Sequence, residues 1–134
     1  MIEKIIHKGK VIAIIIGRDH ETDGIQFVTT PDSLLQLGHM KRPPGYKVVP
    51  HIHNDIRRET FGTQEVLFLK QGVVEVDFYS FEREYLQTKT LSAGDIIFLG
   101  GAGHGIRVIE EAVIVEVKNG PYDPASDKGR FAGR

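Results

Sequence analysis

No stretch of this chain carries apolar residues at a 3.6-residue period for three turns, and turn signals recur every 8–12 residues. Together these features exclude long helices and admit short strands. About ten such strands predict an all-β sandwich or barrel, with no helix longer than about two turns. Val11–Ile16 is β-branched apart from Ala13, the pattern of a strand covered on both faces. After the polar turn Arg18–Gly24 come short runs at Ile25–Thr30 and Leu34–Met40, then the turn Pro43-Pro44-Gly45. Tyr46–His53 reads as a strand, placed at an edge or bulged because Pro50 has no N–H to donate. Gln64–Lys70 and Val73–Tyr79 read as strands joined by a tight Gln71-Gly72 hairpin turn. Tyr85–Leu91, Ile96–Leu99, Ile106–Ile109 and Val113–Lys118 complete the set, the last two joined across Glu110-Glu111.

At 134 residues and 40% hydrophobic content the chain suits one globular domain, spanning 1–134 with its core over about 45–118. Residues 119–134 are polar and glycine-rich and are expected to form a C-terminal arm or to be disordered. A net charge of -1 gives no general attraction to nucleic acid or to an anionic membrane. With no cysteine there is no disulfide, thiolate metal site or cysteine nucleophile. The apolar run Val11–Ile16 is too short for a signal core or a membrane span, so a cytoplasmic location is expected.

The chemistry concentrates between Gly45 and His104. On a strand, His51 and His53 would share a face with Cα atoms roughly 7 Å apart, a spacing that lets both imidazoles converge on one ion. Glu65 at the head of the next strand and His104 after Gly100, Gly101 and Gly103 would complete the set. Three neutral nitrogens and one carboxylate suit a divalent transition metal (Zn, Fe, Mn, Ni or Co) and leave positions open for water or substrate. Glu65 has an alternative use as a structural carboxylate bonded to loop N–H groups. His7, His20 and His39 read as surface or locally bonded histidines. Lys118 and Tyr122 are either acid/base groups at a barrel mouth or solvated strand-end residues, the second being the simpler expectation. Val66 and Phe68 should face away from Glu65, and an apolar outer face suggests a homodimer.

The spacing of these residues resembles the cupin superfamily, whose fold is a double-stranded β-helix, or jelly-roll barrel. Its first motif is matched by Gly45, five residues, His51-Ile52-His53, a spacer, Glu65, six residues and Gly72. Its second is matched by Gly94-Asp95-Ile96-Ile97-Phe98-Leu99 followed by GGAG and His104. The spacer is eleven residues long where three or four are usual, Gly100 replaces the usual proline, and Val108 stands where asparagine is usual. ETFGTQEVLFLKQG and EVKNGPYD make the chain similar to small single-domain cupins associated with bacterial polysaccharide and sugar-nucleotide biosynthesis. The resemblance implies carbohydrate metabolism and a metal-dependent enzyme of isomerase, epimerase or oxygenase type acting on a small polar molecule such as a sugar derivative. A non-catalytic metal- or sugar-binding module stays open, as does a metal-free epimerase working through a His–Asp pair. In the long spacer, Arg57 and Arg58 can hold a phosphate or carboxylate of the substrate, or else pair with Asp55 and Glu59.

Overall fold

The computed structural model describes residues 1–134, which form eight strands and no helix. β1 (Ile2–His7) and β2 (Lys10–Ile16) make a hairpin whose two-residue turn, Lys8-Gly9, has positive φ at both positions. That is the twist a two-residue turn needs to match right-handed strands. The alternation in IEKIIH followed by Lys-Gly is the signal for β1 that the apolar run at Val11 overshadows. β3 (Gly24–Phe27) and β4 (Gly38–Lys41) pair as a separate two-stranded ribbon. β5 (Glu65–Tyr79), β6 (Tyr85–Ser92), β7 (Ile96–Leu99) and β8 (His104–Lys118) complete the main sheet.

Three expectations are corrected. Gln71-Gly72 is not a hairpin turn, because β5 runs through it as one 15-residue strand. Glu110-Glu111 likewise lies inside a continuous 15-residue β8. Tyr46–His53 forms no strand, and residues 42–64 contain no regular element. In the first two cases the turn signals mark a shared corner. β5 and β8 pair antiparallel from Glu65↔Lys118 to Phe78↔His104, with register shifts between Leu69 and Val74. Bulges there bend both strands and increase their twist. Gly72 sits in the bend at φ +89°, where a Cβ would overlap the Glu111 carbonyl and lie 2.8 Å from both Ala112 Cα and the Glu110 oxygen. Only glycine adopts that backbone and tolerates that approach.

One edge of β5 carries β8 along its length, and the other carries β7 and then β6. The sheet that results is antiparallel and curled into a half-barrel. Its concave side holds the larger core cluster, built on Ile12, Leu67, Leu69, Val74, Val76, Phe78, Leu91 and Ile97. A second cluster, Ile14, Ile16, Val28 and Phe98, packs on the opposite face of β2 and β7 with Leu35 and Leu37 from the β3–β4 region. Covering on both faces accounts for the unbroken burial of Ile12–Ile16. On the convex side, Phe68 pairs in register with Val115 and Val66 with Val117, so an apolar strip is exposed as expected for Phe68. No helix is long and apolar enough to cross a membrane.

Candidate functional site

Glu65 opens β5 and His104 opens β8, and in register they lie at opposite ends of the β5·β8 ladder. Straightened, such a ladder would be roughly 45 Å long at about 3.3 Å per residue. The corner at Gly72 folds it back so far that His104 Nε2 lies 3.4 Å from Glu65 Oε2. Both face the concave side, Glu65 with Leu67 and Leu69 and His104 opposite Phe78. Glu65 is 7% exposed. The hydrogen bond from His104 holds its carboxyl below the usual range, against the opposing effect of burial. Glu116 is pushed up, first by its hydrogen bond to Glu65 and then by burial.

The pair lines a cavity of about 650 Å³. The cavity's far wall is the segment 127–134, so the C-terminal arm packs back against the sheet rather than projecting from it. Lys118 Nζ bonds Asp127 Oδ2 at 3.1 Å and lies 4.5 Å from the Tyr122 ring centroid. The bond to Asp127 raises the Lys118 pKa. Lys118 is thus not a solvated strand end, whereas Tyr122 is exposed. Further along, Phe131 meets the Tyr79 ring edge-on at 5.1 Å, and the Arg134 N–H donates to Tyr79 Oη at 3.0 Å.

A charged cluster that the sequence reading missed forms the floor of this wall. Asp77, 4% exposed, accepts from Thr88 Oγ1 at 2.5 Å and from Arg107, while Arg134 Nε approaches at 3.3 Å. Arg107 also bonds Glu75 at 2.9 Å. Arg107 is the main reason the Asp77 carboxyl stays below its ordinary value, and Asp77 in turn raises Arg107. The cross-strand register Glu75↔Arg107 produces the pairing, but only the bend in β5 shows which residues oppose one another.

His51 and His53 stand elsewhere, on the exposed segment 42–64. Their rings are 5.1 Å apart, so the two do meet each other. His51 Nδ1 donates to the Val49 carbonyl at 2.7 Å, which leaves Nε2 as the lone-pair nitrogen. A backbone carbonyl on one ring nitrogen is the usual way of orienting a ligating histidine. Arg57 and Arg58 are exposed on the same segment, and the expected pairing with Asp55 and Glu59 is not formed among the ion pairs. His39 is locally bonded, with Nδ1 2.7 Å from Thr22 Oγ1, and His20 lies beside it and bonds Gln26. His7 departs from expectation, since its Nε2 is buried without a partner.

The four residues expected to hold a metal therefore come as two pairs, and no group of three or more His, Asp or Glu side chains is arranged to hold a metal ion. Carboxylate and imidazole are donor types that divalent transition ions take, but neither pair alone makes a site, and His104 Nε2 is engaged with Glu65. A bound ion would supply Lewis-acid polarisation of a substrate oxygen. Comparisons with models of known families, with characterised proteins and with solved structures give no match for this chain.

Proposed function

We propose that this chain is a cupin-type jelly-roll protein that holds a divalent transition metal through Glu65, His104, His51 and His53 and acts on a small polar molecule such as a sugar derivative. The observation that carries the reading is the Glu65–His104 contact. Two residues at opposite ends of a 15-residue ladder meet at the edge of a cavity. An interior carboxylate beside a histidine, with open volume in front of it, is the arrangement a metal or catalytic site needs and a structural core does not. At about 650 Å³ the cavity is of the size that small-molecule sites take. Isomerase, epimerase or oxygenase chemistry is consistent with such an ion.

A second reading, a binding module without turnover, draws on a separate observation. The cavity's carboxylates other than Glu65 are occupied: Asp77 by Arg107, Thr88 and Arg134, and Asp127 by Lys118 and Lys128. Few groups are left to move a proton. Metal content of protein purified without chelator, beside Glu65→Gln and His53→Ala variants, tests the first part. One ion per chain in the parent, lost in both variants, is expected. Stoichiometric metal that survives both substitutions would place the site elsewhere. Turnover on keto-sugars and sugar nucleotides then separates enzyme from module.

A further inference from the structure

The segment 42–64 leaves the body of its own chain, and β8 has a bare edge. Every residue from Lys41 to Gly62 is exposed, including Ile52 at 89% and Phe61 at 99%. The only backbone hydrogen bond formed within this stretch is the local one from Tyr46 N–H to the Pro43 carbonyl. Its root is fixed: Asn119 accepts from the Gln64 N–H at 2.9 Å and donates to the Gly62 carbonyl at 3.0 Å. β8 pairs with β5 and with no other strand, so one edge of a 15-residue strand is without a neighbour. Beside that edge the concave face is unfilled. Val108 pairs in register with buried Val74, and so faces inward, yet is 60% exposed. A long free edge with apolar residues beside it is a template for another strand.

We propose that two copies of this chain exchange these arms: residues 46–53 of one copy add to the His104–Glu110 half of β8 in the other, bringing His51 and His53 to the other copy's Glu65 and His104. The exchange is isologous, so both free edges are closed at once. The arm's length permits either chain as acceptor. What favours the second copy is that the arm projects from its own body although its own β8 edge is free. Pro50 fixes the arm's orientation. In an antiparallel edge strand, alternate residues direct both N–H and C=O to the same side. Pro50 cannot donate, so its side faces solvent and Val49, His51 and His53 bond to β8. A net charge of -1 per chain opposes such pairing only weakly.

The metal readout of the test rests on the metal reading above, and the assembly readout does not. Two differently tagged variants, His51→Ala/His53→Ala and Glu65→Gln/His104→Ala, are refolded together and the heterodimer is isolated. Exchange leaves one of its two sites with all four ligands, so one ion per heterodimer and none in either homodimer is expected. A metal-free heterodimer, where the parent binds metal, would show that the arm closes on its own chain and overturn the proposal. If the parent binds no metal, the metal reading fails and light scattering decides the exchange. A parent particle of twice 15.0 kDa that becomes monomeric in Val49→Pro, but not in Val48→Pro, supports it. A monomeric parent, or a dimer indifferent to Val49→Pro, overturns it. Neither proline removes an N–H that is bonded within one chain, so the body of the fold is not at stake.

Discussion

Gly72→Ala is expected to be among the most damaging single-methyl additions this chain can receive. The residue's φ of +89° lies where an L side chain costs about 1–2 kcal/mol. The added carbon would overlap the Glu111 carbonyl and press on Ala112 Cα and the Glu110 oxygen at 2.8 Å. These are backbone atoms of the facing bend, so no side chain can swing aside, and overpacking of this kind costs about 1–3 kcal/mol more. The sum, about 2–5 kcal/mol, is a large part of the roughly 5–15 kcal/mol that holds a domain together. With a urea slope of about 2 kcal/mol per molar, the unfolding midpoint should fall by about 1–2.5 M. Gly9→Ala is the control. Its φ is +75° but nothing lies within 4 Å of the added carbon, so strain alone should move its midpoint by about 0.5–1 M. A Gly72→Ala midpoint no lower than that of Gly9→Ala would refute the close-approach argument, and with it the account of why β5 and β8 bend at that point.

Asp77 makes stability depend on acid. Arg107 holds its folded pKa below the unfolded value of about 3.9, so its contribution is complete above that value and drains as pH falls through the lower folded one. Urea unfolding of the parent should weaken more steeply than that of Asp77→Asn between about pH 5 and pH 2, and parallel curves would contradict the cluster. Phe131→Ala removes the ring that packs on Tyr79 and should make the 127–134 segment more open to proteolysis while the sheet's circular dichroism is unchanged; unaltered cleavage rates would mean the arm is held by its ion pairs alone. If the proposed ligand is an anionic sugar, Arg57→Ala with Arg58→Ala should weaken it by about 2–4 kcal/mol with metal content unchanged, because both guanidinium groups are exposed and neither is engaged in an ion pair. Equal affinity in calorimetry would leave that loop without a role in recognition.

The all-β class was legible because it depends on local pattern. β-branched Val11–Ile16 and the alternation in Val73–Tyr79 admit strands and little else. The continuity of β5 and β8 was not legible. A Gln-Gly dipeptide that bends one strand reads the same as one that joins two, and only the facing Glu110–Ala112 backbone distinguishes them. Glu65 and His104 were found through their spacing, and they do meet. Asp77 escaped notice because its value lies in long-range contacts, with Arg107 thirty residues away and Arg134 further still. Tyr46–His53 has strand-like composition, but a strand also needs a neighbour, and within one chain this segment has none.

The curled ladder also dictates an order of assembly. β5 and β6 adjoin in sequence across a short turn in which the Ser80 hydroxyl accepts the Glu82 and Glu84 N–H groups. This hairpin is cheap to close and can form early. Adding β8 to it starts most easily at Phe78↔His104 and proceeds, past the bend, to Glu65↔Lys118, where the loop being closed is twice as long. The Glu65–His104 contact exists only when that last stretch has zipped. Changes in the 80–84 turn should therefore slow folding, whereas changes at Glu65 or Lys118 should mainly hasten unfolding. The end that carries the proposed site is then the last part to form and the first to open, and substitutions there should have little effect on the rate at which the rest of the chain folds.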